Sequence, residues 1–251
     1  MTAAGNFRQA RRKEILKELG LMPVWRVKAA SVPSQSSVLE AGSEEPLVER
    51  QVVEAQDRRS EILRMQWGQL KTSVEGCIAC PLCRSRSRTV FGVGDMSADW
   101  LYVGEGPGVE EDARGEPFVG SSGKLLDNML AAINLKRGRN VYIANIVKCR
   151  PPGNRNPTSE EAQQCEPYLA RQIELIKPKL IIVLGKVAAQ NLLHTDATIA
   201  SLRGRLHQHA GIPVIVTYHP AYLLRTLADT AKVWEDLCFA ISTMRGLGAP
   251  E

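Results

Sequence analysis

The sequence predicts an α/β fold, a mostly parallel sheet covered by helices on both faces. Four short apolar runs, at residues 100–103, 141–147, 180–184 and 214–218, are separated by segments of helical period. Such alternation builds parallel strands joined by crossover helices. Every chemically notable group also follows one of these runs at its carboxyl end: Glu105, Asn145 with Lys148 and Cys149, Gly185, and His219-Pro220. Open α/β sheets bind ligands in the crevice outside those ends, so a single site is expected there.

Ahead of the first run, residues 8–19 have helical character. Arg8, Arg11, Arg12, Lys13 and Lys17 decorate an apolar stripe of Ile15, Leu16 and Leu19, and Gly20 ends it. Residues 29–48, rich in Ser and Ala, read as a flexible linker. A mixed helical pattern returns over 49–70 and leads into the main domain. The chain is therefore divided into an N-terminal extension, residues 1–62, and a catalytic domain, residues 63–251. The extension carries no catalytic signature. Its helix either recruits a repair or replication partner or is dispensable.

Composition narrows the class. The first twenty residues are charged and lack an apolar signal-peptide core, no run is long enough to span a membrane, and a cytoplasmic monomer is expected. A net charge of +5 permits a nucleic-acid partner without requiring one. The 6 cysteines of a cytoplasmic chain stay reduced, which leaves metal ligation or plain burial as their use.

The crossovers follow in order. Leu125, Leu126, Met129, Leu130 and Ile133 recur at helical spacing after the first run. Thr158 and Glu161 open the next helix with a capping box, and residues 186–193 form another. Leu206-His207-Gln208-His209 with Gly211 predicts a small edge strand and turn before the last run. Between the first run and its helix lies Gly104-Glu105-Gly106-Pro107-Gly108, then Glu110, Glu111 and Asp112, then Phe118-Val119-Gly120. Glycines there let the backbone turn and approach a ligand, so the loop reads as an active-site floor. The alternative is a surface loop of solvated charges.

Cys77 and Cys80 are spaced to put two sulfurs on one centre. Cys149 ends the second run and Cys165 lies in the capped helix, where its face also suits a core thiol. This pair is looser than the second Cys-x2-Cys of a zinc ribbon and suits a larger iron–sulfur cluster. Cys83 is a fifth thiol nearby, and Cys238 reads as a core residue. Arg84, Arg86 and Arg88 would share one side of an extended segment, facing phosphate or simply solvent.

From Cys77 to Ala240 the chain resembles the family 4, iron–sulfur type of uracil-DNA glycosylase. The resemblance rests on Cys77-x2-Cys80-Pro-Leu, Gly104-Glu-Gly-Pro-Gly with Glu111-Asp112, Gly115-x-Pro-Phe118-Val-Gly, Val141-Tyr-Ile-x-Asn145, Val147-Lys-Cys149-Arg-Pro-Pro, and Tyr218-His219-Pro-x-Tyr222-Leu-Leu-Arg225, all in order. It implies a three-layer α/β/α fold around a four-stranded parallel sheet. It also implies removal of uracil from single- or double-stranded DNA, and a structural 4Fe-4S cluster on Cys77, Cys80, Cys149 and Cys165. Phe118, Asn145 and His219 would surround the flipped base, with Glu105 and Gly106 in the active-site motif. The residues before Cys77 have no counterpart in minimal members. The loop 150–157 lacks the histidine of a related branch that becomes covalently trapped on DNA.

The residues suit that chemistry. A base must leave the duplex before its glycosidic bond can be reached, and a pocket must then stack it and read its edge. Phe118 can stack or pack in the core. Asn145 offers a donor and an acceptor that match uracil's O4 and N3–H and mismatch cytosine. His219 can donate to O2 of the leaving base, while Glu105 or Glu111 sits near the cationic sugar and positions water. Leu223 and Leu224 can fill the gap left by the base, with Arg225 on phosphate. Leucines of a plain amphipathic helix are the alternative. Two other functions stay open on these residues: a glycosylase for hypoxanthine or mismatched thymine, and a non-catalytic metal-containing DNA-binding protein.

Overall fold

The computed structural model describes residues 57–248. The helix expected over 8–19 and the linker over 29–48 lie outside them. The strands are β1 (Val93–Gly94), β2 (Trp100–Gly104), β3 (Val141–Asn145), β4 (Leu180–Leu184), β5 (Leu206–His209) and β6 (Ile212–Thr217). They hydrogen-bond in the order β1-β3-β2-β4-β6-β5. The four apolar runs supply the parallel centre, β3-β2-β4-β6. At the edges β1 pairs antiparallel with β3 and β5 with β6. The sheet is thus six-stranded and mixed, which corrects the four-stranded parallel one. The edge at β5 is the one expected from its turn; β1, at two residues, is too short to show a period.

Strand side chains alternate between faces, and each face has its own core. On one side Leu101, Val103, Tyr142, Ala144, Ile181 and Val183 pack with α1 (Trp67–Glu75), α4 (Ser159–Ile176) and α5 (Lys186–Leu193). On the other, Tyr102, Ile143, Ile182 and Ile215 pack with α3 (Ser121–Ala132), α7 (Pro220–Leu223) and α8 (Thr230–Gly246). Two further helices, α2 (Val109–Arg114) and α6 (Ile199–Leu202), are short. The capping box of α4 forms as expected: Glu161 N donates to Thr158 Oγ1 at 3.2 Å, and Thr158 N donates to Glu161 Oε2 at 2.8 Å.

The helix expected over 49–70 is interrupted. Residues 57–64 are helical, and α1 starts afresh after Gln66. The break is held by Gln66 N donating to Gln69 Oε1 at 2.9 Å and by Arg171 Nε donating to Met65 O at 2.7 Å. The boundary drawn after residue 62 falls inside the 57–64 helix, whose Ile62 is buried in the core. Arg58 Nη1 also donates to Gln164 O at 3.0 Å, Arg59 pairs with Glu166, and both contacts tie this helix to α4.

Candidate active site

The carboxyl ends of β2, β3 and β6 open into a cavity of about 750 Å³, bordered by Glu105, Gly106, Glu111, Phe118, Asn145, His219, Leu224 and Arg225. Of the groups expected together at the strand ends, this cavity gathers Glu105, Asn145 and His219, whereas Lys148 and Cys149 border a different one and Gly185 lines neither. At the base of the first cavity the register of β2 and β3 places Gly104 beside Asn145. A Cβ on Gly104 would lie 2.5 Å from Asn145 Oδ1 and 2.6 Å from Phe118 Cζ, so glycine keeps this floor open. Gly106 has a parallel reason, since its Cβ would lie 2.7 Å from Val147 Cγ2.

Asn145 is 1% exposed, and its Oδ1 has no hydrogen-bond partner. A buried orphan acceptor costs about 1–3 kcal/mol, and a ligand donor in the cavity would recover it. Its backbone carbonyl accepts from Lys148 Nζ at 3.0 Å. That buried ammonium also donates to Gln172 Oε1 of α4 at 2.6 Å, and burial pushes its pKa down to about 8.

Phe118 is buried and stacks on His219, with ring centroids 5.5 Å apart and planes 29° apart. His219 caps the short α7, where its Nδ1 accepts from Ala221 N at 3.1 Å. Burial, with the nearby Arg225 guanidinium, lowers its pKa to about 4. The ring is therefore neutral at physiological pH and carries its proton on Nε2.

The two carboxylates divide. Glu111 accepts from Gly108 N at 3.1 Å on one oxygen and from Val119 N and Gly120 N at 3.0 and 3.1 Å on the other, so it holds the loop together. Asp112 likewise pins Ser87 N and Arg88 N. Glu105 borders the cavity, and burial raises its pKa above the ordinary 4.5. Unlike that of Glu111, its carboxylate accepts from no backbone N–H among the described residues.

Leu224 and Arg225 lie at the cavity rim, Leu224 47% exposed, but Leu223 is 1% exposed within the core beneath α7. Leu223 is thereby removed from the surface contacts expected of it, because successive residues of a helical turn project about 100° apart and only Leu224 faces outward. Arg84, Arg86 and Arg88 do not act as a row either. Arg86 turns inward, its Nη1 donating to Cys149 Sγ at 3.1 Å. Cys238 is exposed rather than core.

Cys77, Cys80, Cys149 and Cys165 border one small cavity, with Cys83 on the same wall. All are free thiols. Three sulfurs are met by donors: Cys149 by Arg86, Cys77 by Arg58 Nη2 at 3.7 Å, and Cys165 by Lys148 N at 3.2 Å. Burial raises Cys149 to about 11 and Cys165 to about 12. A neutral thiol is a weak acceptor, so positive and N–H groups aimed at buried sulfurs fit thiolates whose charge a metal centre offsets. Among the described residues no group of three or more His, Cys, Asp or Glu side chains is arranged to hold a single ion.

Several contributors escape sequence reasoning. Gln172 supports Lys148, and Arg137 donates to Pro117 O and Phe118 O, both at 2.8 Å. Their partners are one remote lysine ammonium and two backbone carbonyls, and no residue spacing encodes those.

A family profile described as the uracil DNA glycosylase superfamily matches residues 91–238. The chain is 45% identical over 159 residues to a Type-4 uracil-DNA glycosylase of Archaeoglobus fulgidus, covering 60% of this chain and 79% of that relative. To the Type-4 uracil-DNA glycosylase of Pyrobaculum aerophilum it is 40% identical over 181 residues, covering 69% and 92%. To that of Thermotoga maritima it is 43% identical over 168 residues, covering 65% and 87%.

Proposed function

The chain belongs to the uracil DNA glycosylase superfamily, and from that premise we propose that it hydrolyses the N-glycosidic bond of uracil in DNA and leaves an abasic site, as the first step of base excision repair. The observation that carries this reading is the presence of an orphaned, buried Asn145 Oδ1 and a neutral His219 on the lining of one cavity with Phe118.

A flipped uracil stacks on Phe118. Asn145 Oδ1 accepts its N3–H and the amide donates to O4; cytosine presents the reverse pattern and is refused. Cleavage of the bond between N1 and C1′ leaves the pair of electrons on the base. His219 Nε2–H donates to O2, where that charge gathers. Water adds to C1′ and its proton passes to Glu105, whose raised pKa suits a base that must also tolerate a neighbouring cationic sugar. Leu224 fills the vacated stack and Arg225 meets phosphate.

The same reading includes a 4Fe-4S cluster on Cys77, Cys80, Cys149 and Cys165, supported by their shared cavity and the donors facing three of the sulfurs. When bound, the cluster cross-links the segment before the sheet to the loop after β3 and to α4. The enzyme acts as a cytoplasmic monomer, and the N-terminal extension, residues 1–62, is where a repair or replication partner would bind.

The test is incubation with oligonucleotides bearing uracil, hypoxanthine or a thymine mismatch, then alkali to break abasic sites. Scission at uracil is expected. Scission at hypoxanthine or mismatched thymine in preference to uracil would replace the substrate, and no scission at any would leave a DNA-binding protein.

A further inference from the structure

Phe118 holds a backbone conformation that a side chain of its size rarely adopts, with φ of 55°. The fold holds it from several directions. A Cβ at Gly123 would come within 1.8 Å of Phe118 O, so the carbonyl is tucked against the first turn of α3. Glu111 takes the N–H groups of Val119 and Gly120. The remaining restraint comes from outside the pocket. Arg137, in the turn between α3 and β3, donates from Nη1 to Pro117 O and from Nη2 to Phe118 O, both at 2.8 Å, while its Nε donates to Asp127 Oδ1 of α3 at 3.0 Å. One planar guanidinium thus fixes two consecutive carbonyls and is itself aimed by a carboxylate.

We propose that Arg137 is a positioning residue for base recognition: its fork holds the Pro117-Phe118 backbone so that the phenyl ring stays stacked beside His219 on the lining of the pocket. The inference rests on the uracil-excision reading. Arg137 does not border the cavity, so its effect must pass through Phe118. Lysine cannot replace it, since an ammonium is a point donor that cannot span two carbonyls in one plane. Yet lysine keeps the charge, so a role in attracting phosphate would survive that exchange.

The experiment compares wild type, Arg137→Lys and Arg137→Met on a single-stranded oligonucleotide containing one uracil. It measures the saturated single-turnover rate, inhibition by free uracil, affinity for the same oligonucleotide with thymine, and Tm. Both variants should lose between about 10-fold and 100-fold in rate, the scale of a reacting group misplaced by an ångström. Free uracil should inhibit both more weakly, with affinity for the thymine oligonucleotide and Tm near wild type. Asp127→Asn, which loosens the aim of the fork, should give a smaller loss of the same kind. Unchanged rate and uracil inhibition in Arg137→Lys overturns the proposal, as does a loss confined to DNA affinity in Arg137→Met, which would make Arg137 a phosphate contact. A fall in Tm with uracil inhibition intact per folded molecule would make its role purely structural. A wild-type enzyme inert on uracil would instead overturn the excision reading.

Discussion

The Nδ1 of His219 accepts a hydrogen bond from the backbone N–H of Ala221 at 3.1 Å, and this fixes which nitrogen of the ring faces the pocket as a donor. Ala221 N is one of the otherwise unpaired N–H groups of the first turn of α7, so the histidine caps the helix with one nitrogen and keeps the other free for the donor role proposed for it.

His219→Ala removes a donor aimed at charge that develops only as the bond breaks. The saturated single-turnover rate should fall on the order of 10²–10³, by analogy with other oxyanion donors, while affinity for uracil-containing DNA changes far less. Many-fold weaker binding at an unchanged saturated rate would make it a DNA contact.

The pH profile follows from the same geometry. With its pKa lowered to about 4 from 6.5, His219 stays neutral through the ordinary histidine range, and the rate should show no inflection near 6.5. The unfolded chain binds the extra proton between those two values, so this histidine favours unfolding increasingly as pH falls from 6.5 toward 4 and is without effect above 6.5. The acid limb of the rate belongs to Glu105, displaced upward from 4.5, and Glu105→Gln should abolish that limb along with most of the rate. A limb that persists in the variant would assign it elsewhere.

Asn145→Asp exchanges an amide for an acceptor-only carboxylate facing O4 of uracil. Excision of uracil should fall steeply, and refusal of cytosine should weaken because the protonated acid can donate to its ring nitrogen. Assays on paired uracil and cytosine oligonucleotides check both; a normal rate with cytosine still refused would remove Asn145 from the pocket.

Much of this arrangement is legible in the sequence because it depends on strand ends. Four apolar runs locate Glu105, Asn145 and His219 at one edge of the sheet, whatever the details of packing. Legibility fails where a partner is not a side chain at a fixed spacing. Arg137 reaches carbonyls, Glu111 reaches three backbone N–H groups, and Arg86 leaves an alternating row to meet Cys149. It fails also for β1, which two residues cannot announce, and for Leu223 and Leu224, whose opposite fates depend on which side of a short helix packs on the core.

Protein purified without oxygen should carry iron and acid-labile sulfide near about four of each per chain, as a 4Fe-4S cluster requires. Cys77→Ser, Cys80→Ser, Cys149→Ser and Cys165→Ser should each lose it, and Cys83→Ser should keep it. Loss by chelation should lower Tm, because ligation ties α4 to the segment before the sheet. Zinc in place of iron, or retention in Cys80→Ser with loss in Cys83→Ser, would overturn the ligand set.

Truncation tests the domain boundary. A chain starting at residue 57 should excise uracil from short oligonucleotides within a few-fold of the full chain, since every pocket group lies beyond it. A chain starting at residue 66 loses the buried Ile62 and the Arg58 contacts with Cys77 and Gln164. Burial of one such side chain is worth about 1.5–3 kcal/mol, so a lower Tm and faster cluster loss in air are expected of the shorter chain only. Equal Tm for both would detach residues 57–65 from the folded domain.

The adjacent leucines at the end of α7, Leu223 and its C-cap Leu224, should separate stability from base extrusion. Leu223, at 1% exposure, packs under the helix, and Leu223→Ala should cost about 2–5 kcal/mol of stability as a buried large-to-small change. Its rate per folded molecule should stay near wild type at temperatures well below Tm. Leu224 sits at the cavity rim and is 47% exposed, so Leu224→Ala should leave Tm nearly unchanged. A wedge matters only where a stack must be opened and its gap filled, so Leu224→Ala should slow excision from duplex DNA many-fold while excision from single strands falls little. The measurement is the ratio of single-turnover rates on the two substrates. An unchanged ratio would show that the extruded base is replaced by another group at the rim, with Val109, 53% exposed across the same cavity, the next to test.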